Sequence, residues 1–215
     1  MSNIIRNSAI WLVKKRRAQR RKAQWRQQDI YVAPGTFVHA KTTIGRRTRI
    51  NLPSYIDECH IGAYCAIGGH LVVRGSNHET RFLNIQSWSQ RHVIKSSLAI
   101  AGKKERDVLI GNGVWIGDSV VVLPNVTIGD GAVIGAGSIV TRAIPPYAIA
   151  VGNPARVLKL RFPESVVAVL RDISWWNWSD ATIQANAWLF ETDLSALSDA
   201  DVANLKARLA ELPNA

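Results

Sequence analysis

Histidine is the side chain in this sequence best suited to acid–base chemistry at neutral pH, and one of the five histidines stands in a distinctive place. An unperturbed imidazole titrates near neutrality, so it can take a proton from a hydroxyl and return it later. His78 lies between Asn77 and Glu79, where a polar segment interrupts a regular repeat. By residue type and position His78 is either a general base or a surface histidine of the loop, and Asn77 orients substrate or the loop backbone. Glu79 either orients the imidazole or is a solvated carboxylate.

The remaining histidines and the two cysteines have no motif around them. We interpret His39, His60, His70 and His92 as structural residues. Cys59 and Cys65 provide neither a disulfide framework nor the spacing of a metal site, and small apolar side chains of this kind commonly fill a core. The sequence therefore predicts no bound metal.

A repeat of six residues organises most of the chain. The pair Ile-Gly occurs seven times, and aliphatic residues recur at every sixth position over the longest stretch. That stretch comprises Ile110, Ile116, Val122, Ile128, Ile134 and Val140. A period of six fits neither a helix nor a simple strand alternation. It fits a solenoid with triangular coils, in which each side contributes one aliphatic residue to the axis and buries it against neighbouring coils.

Small residues accompany the aliphatic ones and predict the corners of each coil. Asn112-Gly113 and Asp130-Gly131 suit turns that need permissive backbone dihedrals. The fourth residue after each aliphatic one is small or branched and should stack inside the solenoid. These inner positions are Thr48, Cys65, Val114, Val120, Val126, Ala132 and Ser138.

The repeat divides the chain into three parts. Residues 1–29 form a basic helical segment, residues 30–160 form the solenoid with a loop extruded at 74–107, and residues 161–215 form a helical region. Pro163-Glu164 begins a helix to about Ile173, a second runs from Asp180 to about Phe190, and Ser198 with Asp201 caps a third that reaches Leu212. Long loops in compact folds commonly carry function. The clustered tryptophans of the last part should pack on the solenoid or on a neighbour.

The positive charge is concentrated at one end. Residues 1–30 contain nine Lys or Arg and one acid, whereas the remainder is nearly neutral, so we do not expect a nucleic-acid partner. Residues 1–28 fit a basic helix with an apolar end, which suits either an anionic membrane surface or packing on a neighbouring subunit. The sequence shows no apolar run of about 18 residues and no secretory signal. We expect a cytoplasmic protein, with peripheral attachment to the inner membrane face as the alternative.

Two stretches resemble a known family. Residues 110–146 and 151–157, including Val151-Gly-Asn-Pro-Ala-Arg-Val, are similar to the coenzyme-A half of hexapeptide-repeat acetyltransferases, including the maltose, galactoside and xenobiotic enzymes. Residues 61–68, Asn77-His78 and Trp175-Trp-Asn-Trp resemble the xenobiotic branch. The resemblance covers about residues 32–190 and implies a left-handed parallel β-helix.

The resemblance also implies a site and a partner. Family members are homotrimers with active sites between adjacent subunits, and acetyl-CoA is the acyl donor. It places a catalytic histidine at His78, a tryptophan beside the acetyl and pantetheine groups at Trp115, and an oxyanion-binding N–H at Gly117 or Asp118. The coenzyme-A residues it implies are Trp115, Gly117, Ala136, Thr141, Arg142, Asn153, Pro154, Arg156 and Lys159. The alternative is that Gly117 and Ala136 only form corners and that Asn153-Pro154 only ends the solenoid.

These observations predict an acetyl-CoA-dependent O-acetyltransferase that transfers directly to a hydroxyl. The expected acceptor is a sugar of a surface polysaccharide or of its lipid-linked precursor. The alternative acceptor is an antibiotic such as chloramphenicol or a streptogramin. The alternative to an enzyme is a non-catalytic scaffold. Some related β-helices bind zinc through three histidines and hydrate carbon dioxide. Residues 110–161 contain no histidine, which argues against that reaction here.

Overall fold

The computed structural model describes residues 15, 16, 18–98 and 107–210. The six-residue repeat forms a three-sided solenoid in which each coil contributes one short strand to each of three parallel sheets. We call the sheets faces A, B and C in the order in which the chain visits them. The predicted fold class, mainly β with a parallel β-helix and C-terminal helices, is confirmed.

Face A is the longest sheet, with seven strands, and its last two strands form an antiparallel hairpin. In spatial order its strands are β1 (Tyr31–Val32), β4 (Arg49–Ile50), β7 (Ala66–Ile67), β10 (Trp115–Ile116), β13 (Val133–Ile134), β15 (Ala148–Val151) and β16 (Arg156–Leu160).

Faces B and C are shorter. The five strands of face B are β2 (Phe37–Val38), β5 (Tyr55–Ile56), β8 (Val72–Val73), β11 (Val121–Val122) and β14 (Ile139–Val140). The four strands of face C are β3 (Thr43–Ile44), β6 (Cys59–Ile61), β9 (Val108–Ile110) and β12 (Thr127–Ile128). Since the chain leaves β8 on face B and returns at β9 on face C, the extruded loop lies at the corner between faces B and C.

The core is a set of ladders along the solenoid axis. Ile50, Ile67, Ile116 and Ile134 are stacked and fully buried on face A. Burial of each such side chain contributes about 1.5–3 kcal/mol. The small residues predicted for the inner corners are buried too, and Cys65 is among them. Removal from water raises the pKa of the Cys65 thiol to about 11, so it is an inert core group.

Helices occur in three parts of the chain. Residues 18–27 are helical and form α1, and the extruded loop contains α2 (Ser87–His92). The C-terminal region contains α3 (Glu164–Ile173), α4 (Asp180–Ala185), α5 (Ala187–Glu191) and α6 (Asp199–Ala210), with short 3-10 turns at Trp175–Asn177 and Leu194–Ala196. The structure describes no helix that is both long and apolar enough to cross a bilayer.

The predicted C-terminal helices agree with the structure except for the second. The helix expected from Asp180 to about Phe190 is wrong as a single element, because it breaks at Asn186. The buried Asn186 side chain donates to the Thr182 carbonyl at 2.9 Å and accepts from the Trp188 indole at 3.2 Å. For the third helix, the Ser198 and Asp201 side chains cap each other's backbone N–H groups as predicted, whereas Leu212 lies outside the described residues.

The C-terminal region is fastened to the second coil by two neighbouring arginines. Arg46 donates to the backbone carbonyls of Trp176, at 2.8 Å, and of Trp178. Arg47 pairs with Asp180, and this contact lowers the pKa of the carboxyl group. The tryptophan cluster therefore packs on the chain's own solenoid.

Candidate active site

His78 lies at the start of the extruded loop with its ring held by the backbone. Its Nδ1 is 2.7 Å from the carbonyl oxygen of Ile85. A carbonyl can only accept, so the neutral ring carries its proton on Nδ1 and leaves the Nε2 lone pair available. The side chain is exposed, and no partner of Nε2 is found among the described residues. This is the arrangement that a general base requires.

The first residues of the loop are fixed to the solenoid beneath them. The Arg74 N–H donates to the Val122 carbonyl at 2.9 Å, and the Gly75 N–H donates to the Asp57 carboxylate at 3.2 Å. The Arg74 guanidinium also lies over the Tyr55 ring, 5.6 Å from its centroid. His78 is thus three residues from a rigid anchor, although it belongs to a long loop.

The residues beside His78 have separate roles. Asn77 is exposed, whereas Glu79 is half-buried and forms an ion pair with Arg81 at 3.2 Å. The carbonyl of Ile85, and not the Glu79 carboxylate, orients the imidazole. A backbone carbonyl leaves no signature in a sequence, so sequence reasoning could not find this partner.

Trp115 lies on the outer side of face A, and 58% of its side chain is exposed. Its strand partners on that side are Ala66 and Val133, which are too small to cover the indole. The corner between faces A and B follows two residues later, at Gly117. The indole is therefore available to a molecule that lies along this corner.

The corner between faces A and B is built so that backbone atoms come close together. A Cβ on Gly117 would lie 2.6 Å from the backbone nitrogen of Ala136, so glycine is required there by packing alone. The Gly117 N–H is used in the solenoid, where it donates to Ile134 at 2.8 Å. The N–H groups of Asp118 and Ala136 have no acceptor among the residues that the structure describes. Of the two predicted oxyanion donors, Asp118 is therefore the one that remains available.

The hairpin at the end of face A extends the same corner. Asn153 and Pro154 are exposed in the turn between β15 and β16, and the Ala155 N–H donates to Ile139 of face B at 2.8 Å. Arg156 and Lys159 are exposed on β16, where Lys159 pairs with Ile149 of face A. The corner thus ends in two cations that could meet phosphate groups.

The structure separates the predicted site residues into two groups. Trp115, Gly117, Ala136 and residues 153–159 lie on face A or at its corner with face B. His78, Thr141 and Arg142 follow strands of face B and lie at its other edge, next to face C. Within one chain, the sheet of face B lies between the two groups.

His60 forms a polar chain on face C. Its Nδ1 is 2.8 Å from the Thr43 hydroxyl, and its Nε2 is 3.2 Å from the Asp107 carboxylate at the end of the extruded loop. Within the described ranges, no group of three or more His, Cys, Asp or Glu side chains could hold a metal ion.

Comparison with known proteins places the chain in a family. Residues 107–142 match the family model described as bacterial transferase hexapeptide (six repeats). A probable macrolide acetyltransferase from Lysinibacillus sphaericus is 39% identical over 60% of this chain and 75% of its own length. The chain belongs to the hexapeptide-repeat acetyltransferases.

Other members of the family are similar over a comparable stretch. A chloramphenicol acetyltransferase from Klebsiella aerogenes is 39% identical over 60% of this chain, and the alignment spans 64% of that enzyme. A hexapeptide-repeat acetyltransferase from Vibrio cholerae, solved in complex with acetyl-coenzyme A, superposes with a TM-score of 0.52. That match has 27% identity and covers 61% of this chain and 67% of the other. The alignments thus leave parts of this hexapeptide-repeat protein and of its relatives unmatched.

Proposed function

We propose that this hexapeptide-repeat protein is an acetyl-CoA-dependent O-acetyltransferase with His78 as the general base. The geometry of His78 carries the proposal: its Nδ1 is fixed by the Ile85 carbonyl at 2.7 Å, and its Nε2 has no partner among the described residues. Family membership supports the acetyl donor, and the open corner beside Trp115 supports a bound thioester.

The proposed reaction is a direct transfer. Nε2 of His78 takes the proton of the acceptor hydroxyl, and the oxygen attacks the carbonyl carbon of the thioester. The tetrahedral oxyanion accepts a hydrogen bond from the Asp118 N–H, which has no acceptor within the described ranges. Collapse breaks the carbon–sulfur bond, and the thiolate takes the proton back from His78. The products are the acetyl ester and free coenzyme A.

The acetyl-CoA cleft follows from the exposed residues along the corner of faces A and B. We propose that Trp115 packs on the pantetheine arm, that Gly117 and Ala136 let it approach the backbone, and that Asn153 and Pro154 shape the end of the cleft. The phosphates are met by Arg156 and Lys159, both exposed, and by Thr141 and Arg142 of a second subunit.

A homotrimer would join the two groups of residues. In a trimer with face B of each copy turned toward the threefold axis, two different corners of neighbouring copies come together. The corner between faces B and C, which carries His78, lies against the corner between faces A and B of the next copy, which carries Gly117. The outer side of face B supports this contact, because Phe37 and Tyr55 stack at 4.7 Å and remain 46% and 41% exposed. We therefore propose that each active site lies between two copies.

A complementation experiment tests the shared site. His78→Ala and Trp115→Ala are each expected to be nearly inactive as pure proteins. Co-refolded at equal amounts, they should regain about a quarter of wild-type activity, because about one site in four then combines two intact edges. A mixture as inactive as its components would contradict a site between copies.

The proposed acceptor is a sugar of a surface polysaccharide or of its lipid-linked precursor. The polar Asn77 and Glu79 beside His78 suit a molecule rich in hydroxyl groups. The second candidate is an antibiotic, because relatives named as chloramphenicol acetyltransferases reach 39% identity. Coenzyme-A release measured against sugars, polysaccharide fragments, chloramphenicol and a streptogramin would choose between them. Acetyl-CoA binding without turnover of any of these would favour a lipid-linked acceptor. Absence of acetyl-CoA binding would refute the proposal that the protein is an acetyl-CoA-dependent enzyme.

We further propose that the protein is cytoplasmic and that α1 attaches it to an anionic membrane surface. Arg21 and Trp25 fasten the helix to the first coil, where Arg21 donates to the Val38 carbonyl at 3.1 Å. The outward side then carries exposed cations at Arg16, Arg20, Lys22 and Arg26, which anionic lipids attract. Flotation with phosphatidylserine vesicles should be lost when residues 1–28 are removed, and unchanged flotation would refute the attachment.

A further inference from the structure

We propose that a cavity between the solenoid and the C-terminal helices is a binding site of its own, which takes a small aromatic molecule carrying a carboxylate. The cavity has a volume of about 370 Å³, which is in the range of small-molecule sites. It lies at the corner of faces C and A, where Asn112, Gly113 and Gly131 contribute to its wall. The residues proposed for acetyl transfer lie at the other two corners, so this inference does not depend on the proposed function.

Six aromatic residues contribute to the cavity wall. They are Tyr64, Tyr147, Phe162, Trp175, Trp176 and Phe190. Trp175 contacts three of the others, with ring centroids 4.8 Å from Tyr64, 5.2 Å from Phe190 and 6.0 Å from Trp176. Because these rings brace one another, the wall is rigid and suits the flat face of an aromatic ligand.

Arg161 introduces a positive charge into this apolar wall. Its Nη1 donates to the Gly131 carbonyl at 2.7 Å, and the guanidinium lies over the Phe162 ring, 4.8 Å from the centroid. No carboxylate pairs with it among the described residues, and burial lowers its pKa. A half-buried guanidinium that lacks a counter-ion is costly, and an anionic ligand would relieve that cost.

Tyr147 adds an unused hydrogen-bond donor to the same wall. The residue is only 3% exposed, and its hydroxyl has no hydrogen-bond partner in the part of the chain that the structure describes. Burial raises the pKa of Tyr147 to about 12, so the hydroxyl stays protonated at neutral pH. A buried donor in this state is uncommon in folded proteins. Arg161, which lines the cavity, points to a ligand that brings acceptor oxygens, and the Tyr147 hydroxyl is an unsatisfied donor buried behind the same wall.

The acid nearest the cavity does not supply those oxygens. Asp193 lies at the rim, and its Oδ1 accepts from the backbone N–H of Ser195 at 2.9 Å and from the Ser195 hydroxyl at 2.6 Å. These hydrogen bonds lower the pKa of Asp193 and hold its Oδ1 within its own turn, and the carboxylate forms no ion pair with Arg161. The anion that completes the site must come from the ligand, and the aromatic wall specifies the rest of that molecule.

Calorimetric titration with 2-naphthoate and 2-naphthamide tests the proposal on the full chain. The two probes have the same ring system and differ in the charge of one group. We expect wild type to bind the acid at least about tenfold more tightly, because only the acid forms charge-assisted hydrogen bonds. Equal affinity for the two probes, or binding of neither, would overturn the proposal whatever the variants do.

Three variants assign the preference to the cavity. Arg161→Met should abolish the preference for the acid, and Arg161→Lys should retain part of it. Arg171→Met is the matched control, because Arg171 is exposed on α3 and lies outside the cavity wall. A preference that survives Arg161→Met, or that is lost equally in Arg171→Met, would contradict the assignment. Circular dichroism of each variant checks that it is folded.

Discussion

Arg46 is expected to determine whether the C-terminal region stays attached to the solenoid. The half-buried guanidinium donates to the carbonyls of Trp176 and Trp178, which belong to buried residues. Arg46→Met leaves both acceptors without this partner. Each loss costs about 1–3 kcal/mol, and since water can reach a half-buried site we expect about 2–3 kcal/mol in all. For a chain of this size the melting temperature should fall by roughly 4–12 °C.

Arg49 provides the matched control for this experiment. Its guanidinium pairs with Asp29 at 2.9 Å, but the two side chains are 46% and 60% exposed. Exposed pairs of this kind contribute less than about 1 kcal/mol, so Arg49→Met should hardly change the melting temperature. Hydrogen exchange should show faster opening of residues 175–191 in Arg46→Met alone. Equal effects of the two variants, or no change in Arg46→Met, would refute the reasoning.

Three further predictions concern the solenoid. Gly117→Ala should lower the melting temperature, because the new Cβ would lie 2.6 Å from the backbone nitrogen of Ala136; an unchanged melting curve would contradict the close approach. Ser138→Ala should destabilise by about 1–3 kcal/mol in urea unfolding, since its hydroxyl accepts the Gly152 N–H at 3.0 Å. Burial raises the pKa of Cys65 from 9.0 to about 11, so its protonated form is favoured by folding and stability should fall as pH rises from 9 to 11. In Cys65→Ala the stability should depend less on pH over this range. A wild-type melting temperature that is constant from pH 9 to 11 would contradict the raised pKa of Cys65.

The solenoid could be predicted because every coil has the same packing requirement. Every sixth residue must be aliphatic to fill the axis, so Ile110 to Val140 reveal three faces without any knowledge of the tertiary structure. Even the buried hydroxyl of Thr48 fits the pattern, because it donates to the Gly62 carbonyl of the next coil at 2.8 Å. Local spacing and coil stacking lead to the same structure here.

The parts that could not be predicted depend on contacts between distant or non-repeating residues. Helix α2 in the extruded loop has six residues and no apolar period, and its start depends on Gln86, which accepts the Ser89 N–H at 2.9 Å. Asn186 interrupts a continuous helical pattern through its own side-chain hydrogen bonds. The cavity beside Arg161 exists only after the helices have packed on the solenoid.

The sequence predicts candidate site residues but not their arrangement. His78 and Trp115 are predicted as site residues with the help of the family resemblance, which also implies a site between subunits. That they lie at opposite edges of face B follows from the strand order, which the spacing alone does not provide. The proton on Nδ1 of His78 depends on the Ile85 carbonyl, a backbone atom that any residue could supply.

The rate of coenzyme-A release tests the central claim most directly. His78→Ala should be compared with His92→Ala, a control in the same loop whose Nδ1 also contacts a backbone carbonyl, that of Trp88 at 2.9 Å. With an acceptor that the wild type acetylates, kcat/KM should fall by about 10²- to 10⁴-fold in His78→Ala and stay within about twofold in His92→Ala. Full activity of His78→Ala, or an equal loss in both variants, would contradict the assignment of His78 as the base.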